Sequence, residues 1–165
     1  MDNIMRYQFA DYLDVNGVNG SEEDYHLMNT GFTSLGENPN TQEETKQYVG
    51  DKASSSKITG YQTEFPYEAE LIKDEKCTNA LFDTVRNQKT GAAAQFNYVR
   101  VELWNPSSTE EGTTTYKARK FKVTNVPDEL GAEPGAETIS GSLKQNGDFV
   151  DGTFNVSTLT FTANV

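Results

Sequence analysis

A chain of 165 residues with 35% hydrophobic residues and a mean hydropathy of −0.70 reads as one domain with a thin core and a polar surface. Its formal charge of −11 repels nucleic acid unless a basic patch is set apart, and a single cysteine excludes a disulfide framework or a cysteine metal site. No run of about 18 apolar residues occurs, so no membrane anchor is expected, and the N-terminus lacks a charged-then-apolar secretion signal.

The acids are concentrated early. Residues 1–70 hold 13 acids and 4 bases, against 12 acids and 10 bases in residues 71–165. Residues 1–24 carry Tyr7, Phe9, Tyr12 and Leu13, then Asn16-Gly17, Asn19-Gly20 and acids. They read as an N-terminal arm followed by a short strand or loop. Residues 25–165 then form one domain. YHLMNTGFTSL, 25–35, is a strand interrupted near Gly31, and GENPN, 36–40, is a turn. His26 is the only histidine and has no nucleophile motif to serve, so it is no catalytic candidate.

Residues 41–61 read as two strands around a polar tip, with TKQYVG leading in, DKASSSK as the loop and ITGYQ leading out. The tip holds Asp51, Lys52, Ser54, Ser55, Ser56 and Lys57, and no apolar residue larger than Ala53. Such a tip cannot fold on itself; it is idle or it orders against a neighbour. From Ile58 to Leu71 the pattern alternates. Tyr61, Phe65, Tyr67 and Leu71 point one way, and Gln62, Glu64, Glu68 and Glu70 the other. That is a strand with one dry face and one acidic, wet face. Pro66 has no backbone donor and marks an edge or a bend.

Residues 74–89 are the one expected helix. Cys77, Leu81 and Val85 recur every four residues with Ala80 beside them. Asp74 is the expected cap, and Gly91 the left-handed residue that ends it. Cys77 then reads as a small core residue.

Residues 95–104 are a Val/Tyr/Phe-rich strand, NPSSTEEG at 105–112 a loop, and residues 113–126 the antiparallel partner. Lys117, Arg119, Lys120 and Lys122 form the one basic cluster, interleaved with aromatics. Nucleic-acid contact and pairing with nearby acids both fit it, and the global charge favours the second. PDELGAEPG, 127–135, is an acidic loop. Residues 137–145 are a strand, Asn146-Gly147 signals a hairpin, and two short strands close the chain.

The sum is a mainly β fold: two antiparallel sheets in a sandwich or barrel, flanked by one α-helix. No phosphate loop, HExxH, GxSxG or EF-hand pattern is present. DVNGVNGSEED lacks the alternating ligands of a calcium loop. No catalytic residue, cofactor or metal is nominated, and an enzyme is not expected.

The order of blocks carries more than any one of them. GFTSL, TKQYVGDKASSSKITGYQTEFPYEAELIKDE, a helix ending NQKTGA, YVRVELW, YKARKFKV and ISGSLKQNGDFVDGTFN follow one another from about Gly31 to Phe161. This series resembles the major tail tube protein of long-tailed, non-contractile (siphovirus-type) bacteriophages. The resemblance implies the tail tube fold and a structural virion protein made in the bacterial host cytoplasm. It implies self-assembly into hexameric rings that stack into a hollow tube. A tape-measure protein occupies the tube, tail-end proteins bound it, and DNA later passes through without specific binding. On that view Glu64, Glu68 and Glu70 are expected to line the channel, and the 51–57 tip to contact the next ring. The alternative is a monomeric β-sandwich binding module for a carbohydrate or a surface receptor, with aromatics such as Trp104 grouped on one face.

Overall fold

A computed structural model describes residues 2–131 and 133–164. Eleven strands form among them: β1 (Phe9–Asp14), β2 (Tyr25–Leu27), β3 (Phe32–Leu35), β4 (Thr41–Lys46), β5 (Ser55–Tyr61), β6 (Glu64–Glu70), β7 (Gln95–Glu110), β8 (Thr113–Leu130), β9 (Thr138–Gln145), β10 (Val150–Asn155) and β11 (Thr160–Ala163). One α-helix, α1 (Lys76–Arg86), lies between β6 and β7. Nine strands make one antiparallel sheet with the path β2-β1-β7-β8-β9-β6-β3, and β4–β5 make a second, separate one.

The long hairpin β7–β8 organises the body. β7 lies along one edge of β8. On the other edge β10 pairs with Thr115–Lys120 and β9 with Val123–Leu130, so the two strands lie end to end. The chain therefore runs straight on through Asn146-Gly147, and the expected hairpin there does not form. The Asn146 N–H is taken by the Lys122 carbonyl, which holds the step against β8 instead of turning the chain back. The expected loop at 105–112 is also corrected. β7 continues to Glu110, and the reversal is confined to Glu111-Gly112. Both adopt positive φ, 51° and 78°, which is the twist that a two-residue hairpin turn needs.

The sheet curls until its β3–β6 end faces β1 and β7. Phe65 of β6 packs 4.5 Å from Tyr98 of β7 and 4.9 Å from Phe121 of β8, ring centre to ring centre. Leu13, Phe96, Val123, Ile139 and Leu143 complete this buried interior, and Leu81 and Cys77 of α1 close it. The other faces of β1, β7 and β8 are buried as well. Ala10, Tyr12, Val99, Val101 and Ala118 lie under Tyr25 of β2 and Phe154 of β10. Central strands with two dry faces explain how a chain so poor in apolar residues still builds a core.

β1 falls inside the stretch expected as an arm. It hides because two of its six residues are aspartates. Both are buried and answered: Asp11 accepts from the Tyr98 hydroxyl and lies 2.7 Å from Arg6 and 3.7 Å from Arg100. Asp14 accepts the N–H groups of Asn16 and Asp24 and the Asn97 amide, all at 3.0–3.1 Å. It thereby pins the Gly- and acid-rich loop that follows.

The helix is shorter than expected and capped differently. Its N-cap is Glu75, not Asp74, and no side chain bonds the free N–H groups. Gln88, with φ 47°, takes the left-handed position expected of Gly91. The Gln88 and Lys89 N–H groups return to the carbonyls of Val85 and Thr84, an ending that satisfies two of the last four acceptors. Burial pushes the Cys77 thiol up to about 12.

Candidate assembly surfaces

Phe32 pairs with Ala69 and Leu35 with Tyr67, and the ladder then continues past the end of β3. Asn38 and Glu64 exchange both backbone bonds at 2.8 Å, and Thr41 faces Tyr61 at the root of β4–β5. Pro66 is accommodated here because its carbonyl accepts from Gly36 on the side where β3 has just ended, so no ladder donor is lost there. β4–β5 is thus a projecting arm that extends the β3–β6 pair. Six paired residues carry it about 20 Å.

Almost nothing covers this arm. From Thr41 to Tyr61 all residues are exposed except Glu44 and Gly60, which are half-buried. Ile58 and Tyr61 face solvent, Val49 is fully exposed and Tyr48 is 70% exposed. Two-stranded ribbons without a buried face are marginal in water. The expected tip is divided by the structure. Asp51, Lys52 and Ser54 lie in the connection 47–54, where Asp51 accepts the Tyr48 N–H at 3.0 Å. Ser55, Ser56 and Lys57 belong to β5. Sequence reasoning missed the apolar part of the tip, Tyr48 and Val49, because YV read as the end of an incoming strand.

Glu64, Glu68 and Glu70 share one face of β6, opposite the buried Phe65, Tyr67 and Ala69. Cross-strand rows on that face are fixed by the register. Glu64 stands beside Lys144 and Thr124, with the Lys144 ammonium 3.8 Å from its carboxylate. Pro66 stands beside Ser142 and Val126. Glu68 stands beside Ser140 and Glu129, and Glu70 beside Thr138. The three acids are therefore on one surface, but Glu64 is ion-paired near the arm root and the other two are exposed at the far end. Glu129 and Glu133 join Glu68 around one shallow hollow, together with Gly131, Thr138 and Ser140. Their signal in the sequence was the base-free run PDELGAEPGAE, 127–137.

The basic cluster is largely answered by acids. Arg119 lies 2.7 Å from Glu37, and Lys120 pairs with Glu23. Lys117 and Lys122 make no ion pair among the described residues. The open edge of the curl, between β1 and β3, is a slot of about 740 Å³ lined by Tyr7, Phe9, Leu27, Phe32 and Leu103. Arg6 bridges it, donating to Asp11 and to the Leu35 carbonyl at 2.9 Å. Among the described residues no His/Cys/Asp/Glu group has metal-holding geometry, and no helix is long and apolar enough to cross a membrane.

This fold, a curled antiparallel sheet with one flanking helix and a second, two-stranded sheet, is similar to that of solved phage tail structures. The chain is similar to the SPP1 tail tube, with a TM-score of 0.61 and 14% identity over 90% of this chain and 78% of that one. It is also similar to the tail of an empty GTA particle refined with helical C6 symmetry, with a TM-score of 0.54 and 11% identity over 98% and 100% of the two chains. The baseplate of the anti-feeding prophage, symmetrised six-fold, matches with a TM-score of 0.50 and 8% identity over 92% and 96%. No protein-family model and no curated protein matches the chain.

Proposed function

We propose that this chain is a structural tail protein that closes into hexameric rings and stacks them into a hollow tube for DNA delivery. One observation carries the reading: the β4–β5 arm projects from a well-buried body with nothing packed on it. A bare arm is a liability for a lone molecule and a connector in a polymer. The fold it shares with tail tube and baseplate proteins supports the same reading. The acidic face of β6 lines the channel through Glu64, Glu68 and Glu70. Carboxylates offer the DNA backbone no ion pairs, so the polymer slides without sticking. The 51–57 segment, with Tyr48 and Val49, reaches the next ring. The tube's further partners are a tape-measure protein within it and tail-end proteins at its limits, in a virion assembled in the host cytoplasm.

Size-exclusion chromatography and negative-stain microscopy of the purified chain test this. Rings and hollow rods are expected at high concentration. A stable 18.3 kDa monomer under the same conditions would favour a solitary binding module. Replacing Glu64 and Glu70 with Lys in assembled particles tests the lining, which predicts slowed DNA ejection. Unchanged ejection would remove those residues from the channel.

A further inference from the structure

The arm leaves the body at the Glu64–Lys144 row, and the uncompensated acids lie at the opposite end of the same strands. Glu68 is four residues from Glu64 along β6, about 13 Å away. A second copy displaced along the strand direction therefore brings its acidic end under the first copy's arm. The same pair of surfaces then repeats at every step, as a head-to-tail contact requires.

The charges match that geometry. On one face of the arm Glu44 stands 3.0 Å from Lys46 and 3.6 Å from Lys57, so two ammonium groups share one carboxylate. Both lysines are more than half exposed. Lys52 adds a cation at the tip, where the neighbouring Asp51 carboxylate is turned back to the Tyr48 N–H. Across the gap, the hollow of about 330 Å³ at the far end of the body is bordered by Glu68, Glu129 and Glu133. None of these three has a cationic partner among the described residues.

We propose that the arm of one copy docks on the acidic end of the next, with Lys46, Lys52 and Lys57 set against Glu68, Glu129 and Glu133. This rests on the tube reading and names the surface that receives the arm. It makes the tube polar, because each copy has one donor end and one acceptor end. It also places Glu68 at the rim between two rings, where it is shared between the bore and the contact.

Charge exchange tests it. One variant carries Lys46→Glu and Lys57→Glu, the other Glu68→Lys and Glu129→Lys. All four positions are exposed or near-exposed, so circular dichroism of each variant is expected to match the wild type. Each variant alone sets like charges against each other, which raises the concentration needed for rods by about 100-fold or more. Mixed one to one, each arm meets a hollow of opposite sign, and rods return. A single chain carrying all four changes does the same. The proposal is overturned if either variant alone forms rods like the wild type, or if the folded variants fail to rescue each other. Both of those outcomes leave wild-type rods standing, and with them the tube reading. Absence of rods from the wild type would remove both.

Discussion

The central hairpin β7–β8 and the arm β4–β5 are both antiparallel pairs, yet they sit in opposite surroundings. Tyr98, Val99, Val101, Phe121 and Val123 are buried on two faces by neighbouring strands. Tyr48, Val49, Ile58 and Tyr61 are apolar and exposed. The hairpin takes its stability from burial within one chain. The arm has only its own ladder and its ion pairs at Glu44, which contribute at most about 1 kcal/mol each on an exposed surface. On the proposed reading, the contrast separates what folds this chain from what would join it to further copies.

Changes in the body should act on folding, and those in the arm on association alone. The largest effect is expected at Phe65, where three rings meet. Phe65→Ala should lower unfolding stability by about 3–5 kcal/mol, read from denaturant midpoints. Gly152→Ala comes next. A Cβ there would stand 2.2 Å from the Thr162 carbonyl and 2.7 Å from the Phe161 ring. Forcing β11 away should cost about 1–3 kcal/mol and loosen the C-terminal strand, visible as faster amide exchange over residues 160–163. Cys77 gives a pH signature. Its thiol is raised from 9.0 to about 12 in the folded chain, so its contribution is intact below pH 9 and lost as pH rises toward 12. Within that window the wild type should lose about 1.4 kcal/mol per pH unit more than Cys77→Ala. The smallest effect on folding belongs to the arm. Tyr48→Ser with Val49→Ser should change monomer stability by no more than about 0.5 kcal/mol while sharply reducing rod formation in sedimentation assays.

Regular patterns made much of the fold legible. Of the alternation expected over 58–71, Phe65 and Tyr67 against Glu64, Glu68 and Glu70 holds in β6, whereas the strand breaks at Gln62-Thr63 and Tyr61, at the end of β5, is exposed; the Cys77–Leu81 stripe faces the interior as expected. What failed to show was structure set by distant partners. β1 looks polar until Tyr98, Arg6 and Arg100 are placed around Asp11. The Pro- and Ser-bearing 105–110 stretch is strand because β8 pairs with it, against its own composition. Asn146-Gly147 carries a turn signal, yet β8 offers a continuous edge that keeps β9 and β10 in line. The surfaces were partly visible. The wet acidic face of β6 follows from period two, whereas its meeting with Glu129 and Glu133 depends on the β8–β9 register.

Amide hydrogen exchange, on the isolated chain and on assembled rods, reads this division most directly. The account predicts that amides of β4 and β5 exchange quickly in the isolated chain, while those of β7 and β8 are protected. In rods the arm should become protected too. An arm already as protected as the central hairpin in the lone chain, or one still unprotected in rods, would contradict it.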